Sequence, residues 1–317
     1  MVDSILAFQN AVRAAIGFAP EQITRGQLQR FATSPRKGDN AGWCQLFDDG
    51  RAGVYGDFRS GKTLVWKLQG RGERNQREID AIADRLARAK ATQDAQRRVD
   101  GLKNARLNAA LWAECIPATD GDPVSLYLTY RGLHGPVPRH LRLHPAMAYW
   151  HDGQSRGTFP AMVAPLIGAH GRILALHRTY LTRDGRKAPV PIVKKLTRTA
   201  AVLSGTHIPL HEPQDGVIGI AEGIETAQAA WLASGVPTVA AYCANNLGAY
   251  VWPTNVKRIV VFADSDVAGA KAAQTLRNRA VQSGVHATIM TPTSPGMDWC
   301  DVWTSRPTRD VAPAEEV

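Results

Sequence analysis

The stretch VIGIAEGIETAQAAWLASGV, residues 217–236, and its counterpart KRIVVFADSDVAGAKAAQTL, residues 257–276, follow one pattern. Each opens on a run of Val and Ile about as long as a buried strand, ends that run on an acid, and continues into an Ala-rich segment of helical periodicity. Strand, acidic tip and helix, written twice, predict βαβ units of a parallel sheet with right-handed crossovers. Further strands are expected at PTVAAY (237–242) and HATIM (286–290). In such a sheet the carboxyl ends of the strands form the ligand crevice, so Glu222, Asp264 and Asp266 are expected to converge there. The loop GMDWCDV (296–302) brings Asp298 and Asp301 to the same end. A set of carboxylates at one sheet edge suits a hard divalent cation, and Glu222, Asp264, Asp266 and Asp301 form the expected metal set. Helix capping is the plain alternative for any single one of these acids.

Upstream of the sheet, the strands FPAMVAPLI and RILALHRTYL lead into a DGRKAP turn and a cluster of cations: His177, Arg178, Arg183, Lys187, Lys194, Lys195 and Arg198. Crowded carboxylates repel a polyphosphate, so Arg178, Lys194, Lys195 and Arg198 are expected to bind the phosphates of nucleotide or template beside the crevice. The chain of 317 residues carries a formal net charge of +10, with 44% hydrophobic and 21% charged residues. That balance fits a globular protein with a polyanionic partner. No apolar run approaches the roughly 20 residues of a membrane span, which excludes a membrane partner of that kind. The N-terminus lacks the charged-then-apolar pattern of a leader, so a cytoplasmic location is expected. Cys44, Cys115, Cys243 and Cys300 stand singly, without zinc-site spacing, and are expected to be reduced and structural.

Towards the N-terminus, residues 73–115 read as a charged helical connector that Gly101 is positioned to split, with Ile79, Ile82, Leu86, Val99, Leu102, Leu107 and Leu111 as its apolar stripe. The basic residues from Arg71 to Arg106 suit a phosphate backbone or, equally, a solvated ion-paired face. Residues 1–72 hold a helix over 4–16 and a small antiparallel meander from Gly42. Within it GDFRSGKT (56–63) matches a phosphate-binding P-loop in form. The P-loop needs a helix to begin at Lys62, and LVWKLQGRG alternates like a strand, so a hairpin turn is expected instead.

AEGIETA and VFADSDVAGAKAA together resemble the Toprim module of topoisomerases and bacterial primases. Over most of residues 40–305 the chain is similar to the Toprim primase-like proteins of plasmids, phages and integrative elements, through GWCQLFDDGRAGVYGDFRSG, LRLHPAMAYW, FPAMVAPLI and GRILALHRTYLTRDGRKAP. The resemblance implies an α/β fold with a parallel-sheet Toprim domain at 211–305. An α+β primase-like subdomain at 116–210 precedes it, then the connector and the N-terminal β region, with a frayed tail at 306–317. It also implies a Mg2+-dependent nucleotidyltransferase, Mn2+ being the alternative ion, that makes short primers on single-stranded DNA from nucleoside triphosphates. Glu222 would be the general acid/base, Asp264 and Asp266 the metal ligands, and Arg178 with Lys194 or Lys195 the basic groups. A helicase or replication initiator is a further candidate partner. Two other functions use the same residues: a Toprim nuclease or strand-processing enzyme, and a non-catalytic nucleic-acid-binding accessory protein. Met297 and Cys300 stand where the family often has Lys and Asn, and no cysteine cluster is present for a zinc-binding module.

Overall fold

The computed structural model describes residues 3–35, 39–57, 62–68, 76–168, 170–293 and 296–305. The tail from residue 306 and Arg71 lie outside them. The chain divides into two compact units, Met1–Arg97 and Arg98–Val317.

In the first unit, helix α1 (Ser4–Ile16) starts where the Asp3 side chain accepts from the Ile5 N–H, and ends at Gly17, whose φ of +87° suits glycine. Phe8 and Val12 point inward from α1 and pack with Ile23, Phe31, Cys44, Leu46 and Tyr55. Strands β1 (Gln29–Phe31), β2 (Gly42–Leu46), β3 (Ala52–Asp57) and β4 (Lys62–Lys67) form an antiparallel sheet in that order. Lys62 pairs with Asp57 and Thr63 with Gly56, so the position that would open a P-loop helix opens a strand instead. Residues 58–61 of the motif lie outside the described residues.

Helix α2 (Gln76–Glu114) runs unbroken through Gly101, contrary to the expected split. Glycine is needed there for close approach, since a Cβ would stand 2.4 Å from the Ala200 carbonyl oxygen. Among the described residues of the expected apolar stripe, Val99, Leu102 and Leu107 are exposed rather than packed. Polar contacts hold this end of α2, with the Asn104 amide donating to Thr199 O and the Asn108 amide to Arg198 O and Leu174 O. Among the described residues of the helix, Leu111 and Trp112 pack into the core beneath it. The side chains of Ile79, Ile82 and Leu86 lie outside the described residues.

Strands β5 (Ile116–Pro117), β6 (Arg142–His151), β7 (Gln154–Ile167), β8 (Ile173–Tyr180) and β9 (Lys194–Leu196) follow as one five-stranded antiparallel sheet in sequence order. Helix α3 (Pro123–Tyr130), capped by Asp122 with proline in its first turn, lies between β5 and β6 in the chain. The C-terminal part alternates as predicted: β10 (Val217–Ala221), α4 (Ile224–Ser234), β11 (Thr238–Ala240), α5 (Ala244–Ala249), β12 (Arg258–Phe262), α6 (Val267–Gln282), β13 (His286–Met290) and α7 (Trp299–Thr304). The four strands are all parallel, in the order β11-β10-β12-β13. One apolar cluster joins the two sheets, with Tyr127, Met162, Leu166 and Ala175 on one side and Ile224, Ala227, Phe262 and Trp299 on the other. Each large side chain of this kind, fully buried, contributes roughly 1.5–3 kcal/mol. No helix among the described residues is long and apolar enough to cross a membrane.

Candidate active site

The parallel sheet delivers its acids to one end. Glu222 follows the last residue of β10, and Asp264 follows β12 by two residues. Asp266 caps α6, its Oδ1 accepting from the Gly269 N–H at 2.6 Å. Gly269 permits this tight turn, because a Cβ there would meet the Asp264 carbonyl oxygen at 2.9 Å. Between the two acids, the Ser265 hydroxyl donates to Met297 O at 3.0 Å and ties this loop to the one carrying Asp298. Asp298 and Asp301 cap α7 reciprocally: the Asp301 N–H donates to Asp298 Oδ1 at 2.8 Å, and the Asp298 N–H to Asp301 Oδ2 at 3.2 Å.

A crevice of about 310 Å³ opens in front of these tips. Glu222, Asp264 and Asp298 line it together with Arg131, Lys187 and Lys194, and Tyr242 stands at its wall. Among the acids the strain falls on Asp264. Burial, then the charges of Glu222, Asp298, Asp266 and Asp301, push its carboxyl up to about 6. Its Oδ1 is buried without a hydrogen-bond partner. Glu222 is also raised, by burial and then by Asp266. A buried, unpartnered carboxylate oxygen among four other acids is the chemistry a hard cation relieves, so the residues fit a divalent metal. As they stand, no three Asp, Glu, His or Cys side chains among the described residues enclose an ion. Three of the acids, Asp266, Asp298 and Asp301, are engaged in caps. Of the two α7 acids it is Asp298 that lines the crevice, whereas the sequence-based set named Asp301.

The cations divide by strand parity. In the β8–β9 pair Thr179 lies opposite Lys194, and Arg178 opposite Lys195, so the two lysines face opposite sides of the sheet. Lys194 turns to the crevice and bonds Glu225 of α4 at 2.8 Å. Arg178 and Lys195 do not join it. The Arg178 Nη2 donates to Leu196 O at 2.9 Å, and the Lys195 ammonium lies 4.2 Å from the Tyr149 ring centroid while donating to Trp150 O. Arg198 is exposed beyond the end of β9. Strand alternation over a three-residue β9 was too weak a signal to separate the neighbouring lysines in advance.

Several crevice residues escaped the sequence reading. Arg131 follows α3; its Nη2 donates to Cys300 Sγ at 3.4 Å, a weak acceptor, and its Nε is buried without a partner. Tyr242 holds a φ of +63°, uncommon for a bulky residue and frequent at functional sites. Glu225 is buried between Lys194 and the Tyr127 hydroxyl. Burial pushes its carboxyl up, but Lys194 and the hydrogen bonds outweigh that and hold it at about 2. His177, on the Lys194 face, is pushed down to about 4 by burial and then by Lys194, which keeps it neutral.

Residues 217–308 match the Toprim domain family, and residues 103–206 match DUF7146, a domain of unknown function. The C-terminal part of the chain is thus a Toprim domain with a parallel sheet, preceded along the chain by antiparallel sheets. Among solved structures, the chain is similar to the Aquifex aeolicus primase (zinc-binding and RNA polymerase domains) at 14% identity, over 96% of this chain and 82% of that one, with a TM-score of 0.42. It is similar to the RNA polymerase domain of Mycobacterium tuberculosis primase at 16% identity, over 66% and 80%, with a TM-score of 0.40. It is similar to a DNA primase domain from Pseudomonas aeruginosa at 15% identity and a TM-score of 0.34, over 50% of this chain, and spans about half (52%) of that domain. No curated protein matches the chain.

Proposed function

We propose that this chain is a divalent-metal-dependent nucleotidyltransferase of the primase kind, which makes short primers on single-stranded DNA from nucleoside triphosphates in the cytoplasm, for the replication of a mobile element. The observation that carries the reading is the crevice of the Toprim domain, in which Glu222, Asp264 and Asp298 face Arg131, Lys187 and Lys194. Acids alone repel a triphosphate, and cations alone need no Toprim acids. The two together suit a phosphate chain held against a metal site.

In this reading Asp264, Asp266 and Asp298 would hold Mg2+ or Mn2+, with Glu222 beside them. When bound, the ion supplies charge neutralisation at the phosphate. Arg131, Lys187 and Lys194 grip the triphosphate, the planar guanidinium of Arg131 being suited to two phosphate oxygens at once. The 3′-hydroxyl of the growing strand attacks the α-phosphorus, the bond to the bridging oxygen breaks, and pyrophosphate leaves. Glu222, whose carboxyl is raised by burial, accepts the hydroxyl proton. Arg178, Lys195 and Arg198, away from the crevice, meet the template strand rather than the triphosphate. A helicase or initiator would supply the choice of start site.

The test is incubation with single-stranded DNA, labelled ribonucleotides and Mg2+. Labelled oligonucleotides are expected, and Asp264→Asn should reduce their yield by at least about a hundredfold while the variant stays folded. Cleavage of the DNA without extension would favour a nuclease built on the same acids. Binding with neither product would make the chain an accessory protein.

A further inference from the structure

The first turn of α4 carries a carboxylate that this reaction leaves unused. Glu225 is 6% exposed, and it joins the Toprim helix to two elements of the preceding subdomain. The Tyr127 hydroxyl of α3 donates to its Oε1, and the Lys194 ammonium of β9 lies 2.8 Å from Oε1 and 2.9 Å from Oε2. A buried charge needs such partners, since removing one leaves the other stranded. Lys194, by contrast, keeps 42% of its side chain exposed and lines the crevice. Its flexible stem gives it other choices there: Glu222, Asp264 and Asp298 line the same space. An ammonium released among them would pair with the oxygens that receive the cation.

Resting on the primase reading above, we propose that Glu225, itself held by Tyr127, is a positioning residue that fixes Lys194 to the crevice wall, so that the ammonium meets the triphosphate and stays off the metal-binding carboxylates. Glu225 borders the same crevice, but both of its oxygens are engaged by Tyr127 and Lys194, so it acts through Lys194. Its effect should therefore depend on Lys194 being present, which a general structural role does not require.

A double-mutant cycle tests this with the full chain: wild type, Glu225→Gln, Lys194→Met and the pair, each assayed for primer synthesis and titrated calorimetrically with Mg2+ and with Mg2+·ATP. Glu225→Gln should raise the nucleotide KM and the half-saturating Mg2+ concentration about five- to tenfold with kcat changed by less than about threefold, and in the Lys194→Met background the same change should alter both by less than about twofold. Tyr127→Phe, which keeps every charge, should move both quantities in the same direction by about two- to threefold, and it carries the cycle if circular dichroism finds Glu225→Gln unfolded. Equal effects of the Glu225 or Tyr127 change in both backgrounds, or no effect in either, would overturn the proposal. If the wild type makes no primers the functional reading fails on that assay alone, while the calorimetric cycle still decides whether Glu225 acts through Lys194.

Discussion

Asp264, the proposed metal ligand, carries a stability penalty. Its carboxyl is raised to about 6 by burial and four neighbouring acids, above the ordinary 3.8 that it regains on unfolding. Between those values the folded chain binds the proton that the unfolded chain has lost. Stability from this group therefore falls as pH rises through that window, and the penalty is fully present above about 6. Asp264→Asn removes the penalty. In metal-free buffer it should stabilise the protein by about 1 kcal/mol at pH 8, after allowing for solvent screening at a half-exposed site, and by almost nothing at pH 4. Thermal unfolding of both proteins at the two pH values checks this. The difference matters rather than either curve alone, because His177 and His207, both held near 4 mainly by burial, weaken the fold as pH falls below about 6.5 in wild type and variant alike. Equal gains at both pH values would contradict the crowded-acid account.

At the scale of elements, strand alternation governs which charges act together. Neighbours along β9, Lys194 and Lys195 point to opposite faces, one to the Toprim acids and one to the aromatic side with Tyr149 and Tyr180. Trp150, whose backbone carbonyl accepts from Lys195, is itself 58% exposed, an open aromatic surface. Bases of a single strand stack on such surfaces. Replacing Arg178 and Lys195 together by alanine should weaken single-stranded DNA binding by about tenfold at low salt and flatten the dependence of log Kd on log salt, while the calorimetric affinity for Mg2+·ATP changes by less than about twofold. Superimposable titrations of variant and wild type would remove this face from template binding. A comparable loss of nucleotide affinity would return the two residues to the crevice.

Over the whole molecule, each compact unit has its own core. Phe8, Val12, Cys44, Leu46 and Tyr55 cluster within the first, and the cluster joining the antiparallel and parallel sheets lies wholly within the second. A fragment spanning Arg98–Val317 should therefore fold alone, unfold in one cooperative transition, and keep its Mg2+·ATP affinity within about threefold of the full chain. Loss of cooperative unfolding in that fragment would show that the first unit is needed to complete the core.

Much of the fold was legible in the sequence because it is written locally. The apolar runs, the acids that end two of them and the Ala-rich helices specify four parallel strands, of which β10 and β12 lead into acids. The alternation after Thr63 specified a strand where a P-loop would need a helix. Local signals failed where a partner lay far along the chain. Gly101 reads as a helix breaker until Ala200 is seen against it. Asp301 and Asp298 are interchangeable in a loop until α7 turns Asp298 to the crevice. Arg131 lies 133 residues before Asp264, and no spacing rule joins them. Glu225 reads as an ordinary first-turn acid, until burial between Tyr127 and Lys194 makes it a fixed charge. Residue type and periodicity thus determined which chemistry the chain carries, whereas register, face and burial, which exist only once distant segments pack, decided which of its charges share one site.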